Sequence, residues 1–410
     1  MCFRFLSNLV KSSAAAVVAI SIVVAAILYH PSLPPNFEYD AYSLEPLPLL
    51  GPLKLNQELN GAERLFEGEV KGPEHLVVHN NELYTSAHGG YIFKVTSKSL
   101  VPIVKVGQSC ENFWQEHLCG RILGFEFASD STLYFVDAYY GIKKYNLEKK
   151  TLDSIVDVDT EIEGKKPMLP NSISVAKDGR IFWTDSSTTH KLNDGLMTVF
   201  GSPNGRLIVY DPKSKKNTVL IDNLHFANGV LLSRDESFVL VVESMRSKIW
   251  RYYLKGKKAG RHEVFVEGLP GIPDNLNRYG EQIVVCLVAP HSPMSTLLPE
   301  LPNVRKFLAR TLTMAQWVVG EINNLYQTTL LERAYHMIGH FEMLHPIQKY
   351  VEEPRATCVF LDESSGKITG SVHATDGNVV GVSGMVVHNG YFYLASPFNE
   401  YLARRKVIAH

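Results

Sequence analysis

Short apolar runs alternate with turn residues along most of the chain after residue 60. Examples are Y-I-F-K-V, R-I-F-W-T-D, F-V-L-V-V-E and Y-F-Y-L-A-S, with Gly, Asn and Asp between successive runs. Alternating or short continuous apolar runs are typical of antiparallel strands. Groups of these runs recur at roughly 40 to 50 residues, the length of one propeller blade. The pattern therefore predicts an all-β fold, a six-bladed β-propeller.

Six positions in the sequence open the predicted blades: Glu74, Gly120, Asn171, Asn228, Asp274 and Val382. In the first blade the pattern predicts three short strands, although a complete blade has four. The run Arg64 to Gly68 precedes the first blade and has no partner of its own. We expect it to complete the sixth blade, because such closure removes two exposed sheet edges.

Residues 293–350 interrupt the strand pattern and place apolar residues at helical spacing. This predicts a helical insertion within blade five, longer than an ordinary loop. Three interpretations stay open: the insertion caps the mouth of the central channel, lies on a membrane surface, or is a packed surface excursion.

The N-terminus contains an uncharged apolar run from Ser12 to Tyr29, about the minimum length for a membrane-crossing helix. Arg4 and Lys11 precede this run, and the acidic Glu38 and Asp40 follow it, which favours a cytoplasmic N-terminus. A cleaved secretory signal is the alternative. The predicted organisation is a cytoplasmic tail at 1–11, a signal anchor at 12–29, a stalk at 30–59 and the propeller at 60–410, lumenal or extracellular in a single-pass type II membrane protein.

The composition is that of a globular protein, with 45% hydrophobic and 20% charged residues. Lysine and arginine number 41 against 42 acidic residues, without a basic block, so a nucleic-acid partner is not expected. Cys110 and Cys119 are predicted to form a disulfide in an oxidising compartment. Cys286 and Cys358 lie in apolar runs and are predicted to be buried free thiols.

Five oxygen-bearing side chains occupy the openings of blades one, three, four and five. They are Glu74 in G-P-E-H-L, Asn171 in L-P-N-S-I, Asn228 in F-A-N-G-V, and Asp274 with Asn275 in I-P-D-N-L. The inner strands of a propeller begin near its axis, so these side chains are expected to face one another. Two carboxylates and three amides are hard ligands that suit Ca²⁺. The alternative is that they only form turns.

Several motifs carry a resemblance to a known family: G-P-E, C-G-R-I-L-G, D-A-Y-Y-G, A-N-G-V, P-D-N and the final V-S-G-M-V-V-H-N-G-Y-F-Y-L-A-S. Together they resemble the strictosidine synthase-like six-bladed propellers over residues 60–407. That group is similar to the paraoxonases and gluconolactonase-type enzymes, which are calcium-dependent propeller hydrolases. The resemblance implies a catalytic calcium held by the same five residues.

Two positions depart from the related enzymes. Ser383 replaces the glutamate that strictosidine synthases carry at the opening of the sixth blade, so the alkaloid-forming condensation is not expected. Leu123 lies where paraoxonases carry a histidine, which leaves the general base open. Asp274 is the predicted catalytic residue, as base or nucleophile, with His75 and His291 as remoter candidates.

The sequence thus predicts a membrane-anchored, calcium-dependent hydrolase of small esters or lactones, similar to arylesterases and lactonases. The first alternative is a non-catalytic propeller that uses calcium for rigidity and binds a protein or lipid. The weaker alternative is a condensing enzyme of the strictosidine synthase type. His336 and His340 have an i, i+4 spacing, but they lack the zincin glutamate and are expected to be surface residues.

Overall fold

The computed structural model describes residues 2–35, 37–343 and 354–407, and this part of the chain forms six four-stranded antiparallel sheets. The innermost strands of successive sheets contact one another in order, and the strand of the sixth sheet contacts that of the first. The sheets therefore form a closed ring of six blades around one axis. This confirms the predicted all-β propeller.

The strands follow the chain from blade to blade. Blade one contains β2 (Leu76–His79), β3 (Glu82–Ala87), β4 (Tyr91–Val95) and β5 (Leu100–Lys105); blade two contains β6 (Ile122–Ser129), β7 (Thr132–Asp137), β8 (Gly141–Asn146) and β9 (Thr151–Val156). Blade three contains β10 (Pro170–Val175), β11 (Ile181–Asp185), β12 (Gly205–Asp211) and β13 (Lys216–Leu224); blade four contains β14 (Ala227–Leu232), β15 (Phe238–Glu243), β16 (Lys248–Tyr253) and β17 (His262–Val266). Blade five contains β18 (Gly271–Tyr279), β19 (Gln282–Pro290), β20 (Ala356–Asp362) and β21 (Ile368–Ala374); blade six contains β22 (Gly384–His388), β23 (Tyr391–Ala395), β24 (Leu402–Lys406) and the N-terminal β1 (Glu63–Leu65).

The ring closes as the sequence predicts, because β1 pairs with β24 and completes blade six. Glu63 lies opposite Arg404 in this antiparallel ladder, and the Arg404 guanidinium donates to its carboxylate at 2.7 Å. The three-strand expectation for blade one was wrong, since β5 forms its fourth strand. Pro102 lies within β5, and proline is tolerated there because β5 is an edge strand.

The hydrophobic core lies between neighbouring blades. Every residue of the middle strands β11 and β15 is buried, whereas the outer strand β9 exposes most of its residues. One cluster joins blades five and six and another joins blades four and five. Blade-to-blade packing of this kind removes apolar side chains from water, which stabilises the ring.

Two disulfides form. Cys110 and Cys119 are bonded as predicted, with their Cα atoms 5.7 Å apart. The prediction of free thiols at Cys286 and Cys358 was wrong. These residues lie directly opposite each other on β19 and β20 and are bonded, with a Cα separation of 4.0 Å. The apolar runs around both cysteines gave no sign of the disulfide. It depends on the register between β19 and β20, which the insertion separates along the chain.

The helices lie outside the blades. They are α1 (Cys2–Tyr29), α2 (Glu116–Cys119), α3 (Gly195–Phe200), α4 (Pro293–Leu297), α5 (Pro302–Tyr326) and α6 (Thr329–Met337). The last three form the insertion predicted in blade five, between β19 and β20; its predicted end, 344–350, lies outside the described residues. The insertion packs on α3, where Ala309 of α5 joins Leu196, Met197 and Phe200 in one buried cluster.

The N-terminal segment begins with α1 and then follows the surface of the ring. Within the described residues, no helix has the combined length and apolarity needed to cross a bilayer, so the membrane span predicted at 12–29 is not confirmed. In the segment predicted as a stalk, the Leu47 amide donates to the Gly268 carbonyl at 2.8 Å, and Leu53 and Leu59 are buried. The boundaries of the predicted domains stay predictions.

Candidate functional site

The five predicted ligands open the innermost strands of four blades. Glu74 lies two residues before β2, and the other four lie within β10, β14 and β18. All five are at least 95% buried. In each of these three strands the pairing register shifts across the ligand position, between Pro170 and Ile173, Ala227 and Val230, and Pro273 and Leu276. Such bulges re-aim side chains, which here points the ligands away from the regular ladder.

Close packing of the inner strands brings the ligand positions together. A Cβ added to Gly229, next to Asn228, would lie 2.6 Å from the backbone oxygen of Asp274 and 2.8 Å from the amide nitrogen of Leu276. Only glycine therefore fits where blades four and five meet. Across the axis, the side-chain amide of Asn275 donates to both the backbone oxygen and the Oε1 atom of Glu74 at 3.3 Å.

One oxygen of every predicted ligand lacks a hydrogen-bond partner among the described residues. These buried atoms are Glu74 Oε2, Asn171 Oδ1, Asn228 Oδ1, Asp274 Oδ1 and Asn275 Oδ1. Leaving one buried acceptor unpaired costs about 1–3 kcal/mol, so five in one place are unlike an ordinary protein interior. An oxygen-binding cation would satisfy all five, whereas turn-forming residues would use these atoms for backbone donors.

Without a positive partner between them, the two carboxylates of the site disfavour each other's ionised form. Burial raises the pKa of Asp274 well above its usual range, and the charge of Glu74 raises it further. Burial likewise raises the pKa of Glu74, although Arg121 and the Asn275 hydrogen bond oppose this. The donor set, two carboxylates with three amide oxygens, therefore fits a divalent cation such as Ca²⁺.

The site opens into a cavity of about 330 Å³. Four of the five predicted ligands, Glu74, Asn171, Asn228 and Asp274, line this cavity. Its walls are mainly apolar and comprise Phe113, Leu123, Leu192, Val199, Phe226, Met245, Ile272, Val288, Ala289, Met294, Phe341, Pro397 and Phe398. A volume of this size suits a small organic molecule, and the wall suits one with apolar groups.

The two departures seen in the sequence lie at this site. Ser383 is fully buried, and its hydroxyl donates to the Glu74 backbone oxygen at 2.7 Å. Its own carbonyl accepts from the Asn275 amide at 3.0 Å, so Ser383 supports two ligand residues. Leu123 contributes an apolar surface to the cavity wall.

The two histidines considered as remote bases do not line the cavity. His75 is buried with its ring against Phe125, and burial lowers its pKa to about 4. His291 lines a second, smaller cavity, and its Nε2 atom forms a hydrogen bond of 2.7 Å with the Ser247 hydroxyl. Burial also lowers the pKa of His291 to about 4.

A buried cluster at the cavity wall was missed by the sequence analysis. The Glu116 carboxylate lies 3.3 Å from His88 Nδ1, 3.4 Å from His340 Nε2 and 3.5 Å from Arg121 Nε. Burial favours the neutral acid, but the bonds to His340 and His88 and the charge of Arg121 lower the pKa of Glu116 to about 2. Arg121 also donates to the carbonyls of Gly72 and Pro397, so the loop closed by Cys110 and Cys119 is tied to blades one and six.

The expectation that His340 is a surface residue was wrong, since it is 96% buried and lines the cavity. Glu342, two residues further along, lines the same cavity. The spacing of His336 and His340 suggested a helix face, but α6 ends at Met337 and His340 follows it. Its contact with Glu116 joins residues 224 positions apart, and local sequence carries no signal for that.

Comparisons with known proteins agree with the propeller fold. A family model described as "Strictosidine synthase" matches residues 171–257, and one described as "Strictosidine synthase-like, N-terminal" matches residues 51–95. The chain is 40% identical over 394 residues to the Adipocyte plasma membrane-associated protein Hemomucin of Drosophila melanogaster, covering 93% of this chain and 67% of that protein. It is 33% identical over 384 residues to the Adipocyte plasma membrane-associated protein of Rattus norvegicus, covering 92% and 93%.

Among solved structures, a gluconolactonase from Xanthomonas campestris superposes with a TM-score of 0.52 at 11% identity, covering 92% of this chain and 98% of that one. At this identity the match concerns the fold alone. The strictosidine synthase-like model that ends at residue 95 includes Glu74, and the other includes Asn171 and Asn228.

Proposed function

This chain belongs to the strictosidine synthase-like family, together with the adipocyte plasma membrane-associated proteins, and on that premise we propose that it is a calcium-dependent hydrolase of small apolar esters or lactones. The observation that carries the proposal is the set of five buried, unpartnered oxygens, four of which belong to residues that line one cavity. A calcium-dependent hydrolase needs ligands for the cation beside a space for substrate, and these oxygens and this cavity would supply both.

The proposed ligands of Ca²⁺ are Glu74, Asn171, Asn228, Asp274 and Asn275. Calcium takes about six to eight oxygen ligands, so five protein atoms leave positions for water and a substrate oxygen. When bound, such a cation polarises a carbonyl and stabilises the oxyanion that forms on attack. We assign Asp274 to the catalytic centre because its free oxygen belongs to this ligand set.

The cavity wall supports a substrate with an aryl or alkyl group. Phe113, Phe226 and Phe341 supply aromatic surface, and apolar residues outnumber polar ones in the lining of the cavity. A sugar lactone would leave several hydroxyls without partners, and each buried unpaired polar group costs about 1–3 kcal/mol. Aryl esters and alkyl-substituted lactones avoid that cost.

Membrane anchoring through α1 is part of the proposal. Val17, Val18, Ile20, Ile22 and Val23 are each more than half exposed, and contiguous apolar surface needs an apolar environment. The relatives are named as plasma membrane-associated proteins. Two disulfides favour an oxidising compartment, so we place the propeller on the lumenal or extracellular side.

The function is tested on the full-length chain in detergent, with phenyl acetate and a γ-alkyl lactone as substrates. We expect turnover that a calcium chelator abolishes and added Ca²⁺ restores. Turnover that continues unchanged in the chelator would contradict a calcium-dependent reaction.

A non-catalytic, calcium-stabilised binding propeller is the second candidate. Leu123 favours it, because this position supplies apolar surface where the related hydrolases carry a histidine. This candidate predicts a calcium-dependent rise in thermal stability without ester turnover. The condensing reaction gains no comparable support, since the Ser383 hydroxyl is bonded to the Glu74 backbone.

A further inference from the structure

The geometry points to Glu342, carried by the helical insertion, as the general base and acid of the axial cavity. This inference rests on the proposed hydrolase function. It adds a proton-transfer residue from outside the repeated blades, at a site where the related enzymes' histidine is replaced by Leu123.

The residues just before Glu342 are held against the propeller by two kinds of contact. The Leu196 amide of α3 donates to the Gly339 carbonyl at 3.0 Å. Phe341 packs so closely on Gly195 that a Cβ added there would lie 2.2 Å from its ring, and its ring centroid is 5.7 Å from that of Phe226. Residues 339–341 are therefore fixed to the propeller, and the next residue faces the cavity.

Six titratable side chains line the cavity within the described residues: Glu74, Glu116, Arg121, Asp274, His340 and Glu342. Glu74 and Asp274 belong to the proposed ligand set. Glu116 and Arg121 contact each other at 3.5 Å and are buried. Glu74 and Asp274 are thus assigned to the cation, and Glu116 and Arg121 are paired with each other.

His340 is also committed, because both of its ring nitrogens have partners. Its Nδ1 accepts from the Glu342 backbone amide at 3.1 Å, which places the proton on Nε2, and Nε2 faces the Glu116 carboxylate at 3.4 Å. Glu342 differs from the other three side chains that lie outside the proposed ligand set. Its Oε1 atom is buried and has no hydrogen-bond partner among the described residues, whereas Glu116, Arg121 and His340 have no such atom.

The surroundings of Glu342 suit proton transfer near neutral pH. Burial raises the pKa of Glu342 to about 7; His340 and Arg121 oppose this rise, and Glu116 and Glu400 add to it. A general base works best when its pKa lies near the operating pH.

The step conserves atoms and charge. As the oxygen of water bonds to the ester or lactone carbonyl carbon, one water proton passes to the Glu342 carboxylate. When the carbon–oxygen bond of the leaving group breaks, the protonated Glu342 returns that proton to the departing oxygen. Water is the only co-reactant.

The test compares Glu342→Gln with Glu321→Gln, the same change on the exposed outer face of α5. In full-length protein we expect Glu342→Gln to lower kcat by roughly 100-fold to 10,000-fold, the usual range for general acid–base catalysis. The rise of kcat/KM with pH through about 7 should disappear, while the Tm increase produced by Ca²⁺ stays. Glu342→Ala should regain activity with added formate, which supplies a small carboxylate.

The outcomes separate the two levels of the proposal. If the wild type hydrolyses esters in a calcium-dependent way and Glu342→Gln keeps its kcat and pH profile, the role of Glu342 is wrong and the proposed function stands. If formate does not restore Glu342→Ala while its Tm is that of the wild type, the role is also wrong. If the wild type turns over neither substrate, the proposed function fails and this inference fails with it.

Discussion

The ring of blades and the helical insertion contribute to one cavity in opposite ways. The ring supplies its ligands by repetition: Asn171, Asn228 and Asp274 occupy equivalent places in three successive blades, each at a bulge in the innermost strand. The insertion interrupts blade five and supplies His340 and Glu342 without any counterpart in the other blades. Repetition places the proposed calcium ligands, and the insertion places two further groups that line the same cavity.

The two regions also differ in how they are stabilised. The inner strands of the ring lie between neighbouring sheets and are held by ladder hydrogen bonds, whereas α5 exposes Trp317, Leu325 and Tyr326 and packs on α3 through Ala309. Substitutions in the ring are therefore expected to affect cation binding or global stability. Substitutions at the anchor of the insertion are expected to affect turnover first.

Replacing Asp274 by Asn should give the largest effect. This change removes one of the two ligand charges, so we expect kcat/KM to fall by about 1,000-fold or more, equivalent to about 4 kcal/mol. Calcium at 100 times its Kd should stabilise the wild type by about 2.7 kcal/mol, and this gain should vanish at the same calcium concentration in the variant.

Asp153→Asn, the same substitution on the exposed outer strand of blade two, is the matched control. Ester hydrolysis and calcium-dependent thermal melting measure both effects. If Asp274→Asn were still stabilised by calcium as the wild type is, Asp274 would not be a calcium ligand. The proposal that the ring supplies the cation site would then be wrong.

The two disulfides allow the ring and the cavity wall to be weakened separately. The Cys286–Cys358 bond closes a loop of 72 residues and the Cys110–Cys119 bond a loop of 9. From the entropy of loop closure in the unfolded chain, we expect removal of the first bond to lower the free energy of unfolding by about 4 kcal/mol. Removal of the second should lower it by about 2.5 kcal/mol. We expect the Cys286→Ala/Cys358→Ala pair to lower unfolding free energy without changing the kcat of the folded protein.

The Cys110→Ala/Cys119→Ala pair should instead lower kcat, because its loop carries Glu116 beside the cavity. Denaturant unfolding and kcat of the folded fraction distinguish the two. Equal effects of both pairs on kcat would mean that the loop has no special relation to the site.

The ring could be predicted from the sequence because its blades repeat, and the same repetition picked out the proposed ligands. Blade-length spacing revealed six blades, and Glu74 and the Asp274–Asn275 pair could be recognised by comparing one blade opening with the next. The fourth strand of blade one was missed because Pro102 weakens its strand pattern, although an edge strand tolerates it.

The remaining features depend on contacts between distant parts of the chain. The register that brings Cys286 opposite Cys358 forms across the insertion, and the Glu116–His340 contact joins blade two's approach loop to blade five's insertion. Neither contact leaves a periodic signal, since each occurs once. Function at this site therefore depends partly on residues that repeat analysis cannot find.

Acid should weaken the Glu116 cluster before it affects the ladders of the ring. The folded-state pKa of Glu116 is lowered to about 2, below its ordinary value, so its ionised form stabilises the folded protein above the ordinary pKa. That stability is lost as pH falls from about 4.5 towards 2 and is on the order of 3 kcal/mol. In Glu116→Gln this part of the pH dependence should be absent, as measured by urea unfolding at pH 2 to 7.

Glu363→Gln, which removes a partly buried carboxylate paired with Arg278 on the ring, provides the comparison. It should leave the acid loss attributed to Glu116 in place. If Glu116→Gln and the wild type lost the same stability between pH 4.5 and 2, the cluster would not be the acid-sensitive part of the molecule.

Gly195→Ala gives the smallest expected change in stability and the sharpest separation of the two regions. A methyl group at this position would overlap Phe341, and overpacking of this kind costs about 1–3 kcal/mol. Because Phe341 precedes Glu342, the displacement of Phe341 should lower kcat while the calcium-dependent rise in Tm is unchanged.

Gly370→Ala is the control, since the added Cβ would meet only Phe360 at an ordinary 3.7 Å. A Gly195→Ala variant with wild-type kcat would show that the insertion does not position the reacting groups, whereas loss of the calcium response would show that the ring and insertion are not separable.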